Sequence, residues 1–160
     1  MEIEEPFSVR HSYRQRLNAR PEKVFPLLCP VREADWVDGW DPLLVLTRSG
    51  IIEPGCIFIT PGDEGHDAIW VTTRHEPEDW LVRFVKVTPL HTVGRIEIVL
   101  EDAPDGGTFA YVTYAYTALS ESGRAFVEAF TAERYEAFMQ GWEEALNYYL
   151  SNGSKLPNLG

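Results

Sequence analysis

The sequence predicts an α+β protein in which a curved antiparallel sheet of about seven strands wraps around one long C-terminal helix. Two observations lead to this prediction. Residues 43–118 consist of short apolar, β-branched and aromatic runs divided by turn residues, as in successive strands. Residues 120–150 then place apolar side chains at the three- and four-residue spacing of one uninterrupted amphipathic helix. In the favoured arrangement this helix lies across the sheet, and a cavity separates the two.

Two short helices are expected between the first strand and the rest of the sheet. The first strand is predicted at residues 7–18, where apolar and charged residues alternate unevenly. A short helix follows, with Asn18 as its expected cap and Pro21 in its first turn. A second short helix is expected at residues 31–37, and Gly39 suits its C-terminal end.

The remaining strands are predicted from alternating apolar runs bounded by turn residues. Pro104-Asp105-Gly106-Gly107 is the strongest turn signal. Because every connection is short, neighbouring strands are expected to pair antiparallel. The predicted strands are residues 43–48, 56–60, 67–75, 80–88, 92–101 and 108–118.

The final helix is expected to begin at Ser120, whose hydroxyl can cap the first turn. Phe126 and Phe130 fall outside the apolar stripe of the second half, so that end either packs shut or forms the mouth of a cavity. Gly141 interrupts the helix, and either a close approach of the sheet or room for a ligand would explain it.

Length, charge and cysteine content exclude several classes of protein. The 160 residues fit one domain, residues 1–160, with 1–6 and 152–160 expected to be loose. A net charge of −11 argues against a nucleic-acid partner. The chain has no apolar run of roughly 18 to 20 residues, so membrane insertion is not expected. Cys29 and Cys56 are too few for a disulfide framework, which favours a reduced, cytoplasmic setting.

Three sequence segments resemble a known superfamily. The segment ARPEKVF at 19–25 resembles the opening of the START-like superfamily, which has the helix-grip fold. That superfamily includes pollen-allergen-like proteins, lipid-transfer domains and bacterial polyketide cyclase/dehydratase-like proteins. The segments at 29–40 and at 113–120 are similar to an uncharacterised bacterial branch of it. The resemblance covers residues 8–151, and it implies a ligand cavity between the concave face of the sheet and the long helix.

Strand alternation indicates which side chains face this cavity. If Arg95 and Glu97 point to water, Ile98 points inward, and the same reasoning applies to the neighbouring strands. Trp70 shares its parity with Arg74 unless a bulge intervenes. The alternative for each residue is that it only fills the core. The candidate ligand-binding residues are Trp36, Trp40, Trp70, Phe84, Ile98, Tyr114, Tyr116, Phe138 and Trp142.

Two pairs in the short-helix region have alternative interpretations. Trp36 and Trp40 either form a gate at the cavity mouth or fasten the short helices to the sheet. Arg32 and Glu33 either anchor a ligand or form a local ion pair or a solvated surface.

Known catalytic and metal-binding motifs are not found. The histidines His11, His66, His75 and His91 lack the spacing of a zinc site, so neither metal nor cofactor is expected. His91 is either an acid or base at the cavity rim or a solvated loop residue. Glu97 would be a candidate base only if the strand parity were inverted. The two cysteines are expected to be small buried groups. No catalytic residue is identified.

The resemblance implies three functional hypotheses. The leading one is binding or carriage of a small hydrophobic or aromatic molecule in the cavity. The second is a cyclase or dehydratase acting on a polyketide-like substrate there. The third is a chaperone-regulator-like interaction module, which requires a solid core and an exposed apolar patch. A homodimer through Trp80 and Val99 on the outer sheet face is a further expectation.

Overall fold

A computed structural model describes residues 1–157, apart from the side chain of Glu64. The tail expected to be loose, 152–160, lies partly outside this range. One seven-stranded antiparallel sheet has the order β1-β7-β6-β5-β4-β3-β2. Its strands are β1 Ser8–Leu17, β2 Leu44–Leu46, β3 Ile57–Thr60, β4 Ala68–Glu76, β5 Leu81–Thr88, β6 Thr92–Asp102 and β7 Thr108–Ala118. The helices are α1 Pro21–Val24, α2 Glu121–Ala129 and α3 Ala132–Asn152. The predicted fold class is confirmed.

The short-helix region is more compact than the sequence indicates. Helix α1 is followed by a 3-10 turn at Phe25–Leu27, and the second short helix is only a 3-10 turn, Arg32–Asp35. The expected cap at Asn18 is wrong, because α1 starts after Arg20. The backbone N–H of Asn18 instead donates to Asn147 Oδ1 at 2.8 Å, which ties the end of β1 to α3.

The inner and outer faces of the sheet follow the predicted alternation. On β6, Ile96 and Ile98 are buried, whereas Arg95 is exposed. Glu97 also points outward, where its Oε2 accepts a hydrogen bond from Arg83 Nε at 2.6 Å. The condition under which Glu97 would be a buried base is therefore not met.

A β-bulge lies in the middle of β4. The pairing of β4 with β5 shifts register between Thr72 and Arg74. Trp70 consequently faces inward and stacks on Phe58 at 5.2 Å, while Arg74 forms an ion pair with Glu76 at 2.7 Å. The bulge resolves the parity conflict between Trp70 and Arg74 that is visible in the sequence.

The prediction of one uninterrupted C-terminal helix is wrong. Phe130 leaves the helical region, with φ −83° and ψ 64°. Thr131 caps a new helix, since its side chain accepts a hydrogen bond from Arg134 N at 3.2 Å. The break lets the two halves turn different faces to the sheet, which explains the misaligned Phe126. The predicted cap at Ser120 is confirmed, because its Oγ accepts from Gly123 N at 3.2 Å.

The core occupies part of the space between the inner face of the sheet, the short-helix region and α3. Tyr135, Met139 and Leu146 form the buried seam of α3. The Tyr135 hydroxyl donates to the Val112 carbonyl of β7 at 2.5 Å and fixes α3 on the sheet. In the part of the chain described, no helix is long and apolar enough to span a membrane.

Candidate ligand-binding cavity

A cavity of about 660 Å³ lies between the inner face of the sheet and α3. The sheet contributes residues of β3 to β7, and the segment after the second short turn closes one side. All nine predicted ligand-binding residues line it: Trp36, Trp40, Trp70, Phe84, Ile98, Tyr114, Tyr116, Phe138 and Trp142. The structure thus brings these nine together, and their binding of a ligand stays a prediction.

One face of α3 forms the wall opposite the sheet. Its lining residues recur at three- and four-residue intervals and include Phe138, Gly141 and Ala145. A Cβ at Gly141 would meet no atom within 4 Å. Of the two explanations for this glycine, the structure supports the one that leaves room.

The end of the cavity near α2 is closed. Phe126 and Phe130 contact the Tyr116 ring edge-on, at centroid distances of 4.9 and 5.0 Å. The Phe130 carbonyl is hydrogen bonded to His11 Nε2 at 2.7 Å. The junction of α2 and α3 therefore packs shut against β1 and β7.

The exposed lining residues mark the opening. Phe138 is 50% exposed although it lines the cavity. Asp38 and Arg134 are also exposed and lie in the same lining. The mouth therefore lies between the segment 36–40 and the first half of α3.

Trp36 and Trp40 fasten the short-helix region. Trp36 is 1% exposed, and its Nε1 donates to the Leu27 carbonyl at 3.0 Å. Its ring stacks on Trp142 of α3 at 5.8 Å. Trp40 Nε1 donates to the Pro30 carbonyl at 2.7 Å. These contacts favour two fixed wall residues over a movable gate.

Lys86 is a cavity residue that the sequence reasoning missed. Its Nζ lies 4.9 Å from the Trp70 ring centroid and 5.7 Å from that of Tyr116, and it donates to the Tyr116 hydroxyl at 3.4 Å. Burial lowers its pKa to about 8, because the apolar surroundings disfavour the charged form. The strand alternation that places Val82 and Phe84 inward also places Lys86 inward, so this alternation predicts Lys86 as a cavity residue.

Glu33 is the acidic counterpart inside the cavity. Arg32 is not its partner, because Arg32 Nε pairs with Asp35 Oδ2 at 2.7 Å on the surface. Glu33 is half-buried in the cavity lining, and burial raises its pKa to about 8, because the charged carboxylate is disfavoured away from water. Burial, followed by the charges of Tyr116 and Glu33, holds the pKa of Tyr114 well above its usual value. Glu33 thus faces the cavity near the Tyr114 phenol.

The histidines lie outside the cavity lining. His91 stacks on His66 at 5.0 Å and shares a hydrogen bond with Ser122 Oγ at 3.0 Å. Burial and the nearby His66 lower the pKa of His91. His75 stacks on Phe25 at 5.2 Å. Among residues 1–157, with the side chain of Glu64 left aside, no group of three or more His, Cys, Asp or Glu side chains is placed to hold a metal ion.

The two cysteines are buried free thiols, as predicted. The Cys29 Sγ accepts a hydrogen bond from the Ile52 backbone N–H at 3.2 Å. Burial is the main reason that the pKa of Cys56 is raised, which keeps that thiol protonated.

The backbone is similar to several solved structures. A point mutant of norcoclaurine synthase from Thalictrum flavum matches at a TM-score of 0.68 and 13% identity, over 95% of this chain and 100% of that chain. Ara h 8.0201 matches at a TM-score of 0.62 and 16% identity, over 91% and 100% of the two chains. An uncharacterised protein from Rhizobium leguminosarum matches at 0.62 and 17% identity, over 94% and 99%.

One further match is a complex of norcoclaurine synthase with dopamine and hydroxybenzaldehyde, at a TM-score of 0.63 and 12% identity, over 87% of this chain and 86% of that chain. No family model matches the sequence, and no curated protein matches it. At these identities the likeness concerns the fold. The chain shares the helix-grip fold with these structures, as the sequence resemblance predicted.

Proposed function

We propose that this protein binds or carries a small hydrophobic or aromatic molecule in the cavity between the sheet and α3. The observation that carries the proposal is the cavity itself, about 660 Å³ and lined mainly by aromatic and aliphatic side chains. Ligand sites for small molecules usually measure about 300 to 1,000 Å³ and combine an apolar wall with a few polar groups.

The arrangement of the wall supports a flat ligand. Trp70, Phe84 and Tyr114 present rings from the sheet, and Phe138 and Trp142 present rings from α3. A planar molecule between the two sets would contact aromatic faces on both sides. Norcoclaurine synthase, which has a similar fold, has been solved in complex with dopamine and hydroxybenzaldehyde, and this supports an aromatic ligand for the present protein.

Tryptophan fluorescence and thermal unfolding test the proposal. Four of the five tryptophans line the cavity, so a ligand there should change their emission. A ligand at 100 times its dissociation constant stabilises the folded state by about 2.7 kcal/mol. At about 2 to 4 °C per kcal/mol, the melting temperature should rise by about 5 to 10 °C. If neither the tryptophan emission nor the melting temperature changed with any compound of a broad library of lipids and aromatic molecules, the proposal would be contradicted.

A cyclase- or dehydratase-type enzyme is the second candidate. It requires a titratable group inside the cavity, and both Glu33 and Lys86 meet this requirement with pKa values of about 8. Such values suit proton transfer near neutral pH. In an assay with linear β-polyketone substrates, Glu33→Gln and Lys86→Met should each lower kcat while binding persists. Substrate that binds without any turnover would remove this candidate.

The two remaining expectations have less support. The interaction module requires a solid core, and a cavity of this size argues against it. For the homodimer, Trp80 is partly engaged by Phe25 at 5.7 Å, and Val99 is half-buried on the outer face. Sedimentation velocity at several concentrations would test that dimer.

A cytoplasmic location is proposed from the two free thiols, Cys29 and Cys56.

A further inference from the structure

We propose that the ligand is an aromatic molecule bearing a carboxylate, and that Lys86 and Tyr116 bind this carboxylate inside the cavity. The inference rests on the proposed function and names the ligand class of the same site. It stands on the juxtaposition of an ammonium group on β5 and a phenol on β7, the two strands that flank β6, which both face the cavity.

Lys86 is a cation without an acidic partner. It lines the cavity, and no described carboxylate lies within 4.0 Å of its Nζ. Its neighbours are the faces of Trp70 and Tyr116, which attract a cation only weakly compared with a negative charge. A buried unpaired charge is costly, and an anion brought by the ligand removes much of that cost.

The Tyr116 hydroxyl adds a second donor group to the site. An ammonium group only donates, so the phenol oxygen accepts the bond from Lys86 at 3.4 Å. Among the described residues, the proton of this hydroxyl has no acceptor. Two ammonium N–H groups and one phenol O–H are therefore available together. A carboxylate has two oxygens and accepts such charge-assisted hydrogen bonds, whereas a neutral amide binds a cation less strongly.

Gly94 makes this juxtaposition possible. In the sheet register Lys86 lies opposite Gly94, and Gly94 lies opposite Tyr116. A Cβ at Gly94 would lie 2.8 Å from Tyr116 Cε1 and 3.5 Å from Lys86 Cβ. Because the glycine has no side chain, the Tyr116 ring lies across β6 and its hydroxyl reaches Lys86.

The other charged groups of the lining permit an anion beside Lys86. Asp38 and Arg134 are exposed at the mouth. Glu33 is the acid within the cavity, and burial raises its pKa to about 8, so near pH 7 it is mostly neutral. The anion subsite is therefore electrostatically distinct from the rest of the wall.

Calorimetric titrations at pH 7 with 2-naphthoate and its neutral analogue 2-naphthamide test the inference. Wild-type protein should bind naphthoate about tenfold more tightly or better, equivalent to about 1.4 kcal/mol. Lys86→Met should remove this preference while naphthamide still binds. Lys23→Met, which removes an exposed lysine on α1, should leave the preference unchanged.

Tyr116→Phe is the second variant, and it should reduce the preference severalfold without removing the cation. Equal affinities of the wild type for the two compounds, or a preference that survives in Lys86→Met, would overturn the inference while naphthamide binding still supports the proposed function. Decanoate bound more tightly than naphthoate would overturn the aromatic part. Failure of every compound to bind would overturn the inference, whereas the proposed function is overturned only if the broad library of lipids and aromatic compounds also fails to bind.

Discussion

Replacing Glu33 by glutamine should make the stability of the protein less sensitive to pH. Burial raises the pKa of this carboxyl from 4.5 to about 8. Between these values the folded protein holds a proton that the unfolded chain has lost. Raising the pH through this window therefore destabilises the folded state, and the full cost is present above pH 8. Glutamine has nearly the same size and no charge, so the variant avoids the cost.

The size of the effect follows from the two pKa values. A difference of 3.5 between 8 and 4.5 corresponds to about 4.8 kcal/mol at 1.36 kcal/mol per unit of pKa. Water entering the cavity screens the charge, so we expect about 2 to 4 kcal/mol. At pH 8.5 the variant should exceed the wild type in stability by this amount, and near pH 4.5 the two should be similar.

Urea unfolding of both proteins at pH 4.5 and pH 8.5 measures this difference directly. Glu97→Gln is the matched control, because Glu97 is paired with Arg83 on the outer face of the sheet. Its replacement should change stability by less than about 1 kcal/mol. If Glu33→Gln and the wild type have parallel pH profiles, the carboxyl is not held neutral inside the cavity, and the reasoning is refuted.

Four further predictions concern residues of β6 and α3. Gly94→Ala should destabilise the protein by about 1 to 3 kcal/mol in urea unfolding, because the added Cβ would lie 2.8 Å from the Tyr116 ring. Gly141→Ala should stabilise the protein by about 0.5 to 1 kcal/mol, because alanine favours the helix and the added Cβ meets open space. Gly141→Phe should weaken binding of 2-naphthamide at least about tenfold by calorimetry without lowering the melting temperature, and unchanged affinity would contradict this. Tyr135→Phe should cost about 1 to 2 kcal/mol in chemical unfolding, since the Val112 carbonyl loses the phenol donor.

The sheet and its inner face could be predicted because strand alternation has a fixed period. Once Arg95 and Glu97 are placed in water, the inward positions of β6 follow, and the antiparallel register extends them to the neighbouring strands. Lys86 lies in the same alternation and faces inward with Phe84, although lysine side chains are usually exposed to water.

Other features depend on tertiary packing that a single sequence does not specify. The helix break at Phe130 is set by contacts with Tyr116 and His11, which lie far away in the chain. Both flanking segments have good helical patterns, so local propensity favours continuity. Glu33 reaches the cavity from an irregular 3-10 turn, where no period predicts which side chain faces inward.

A crystal structure of the protein with bound 2-naphthamide tests the central claim most directly. The account predicts one naphthalene ring between the inner face of the sheet, at Phe84 and Tyr114, and the face of α3 at Phe138 and Trp142. A compound that binds in solution but lies outside the cavity in the crystal would contradict the account.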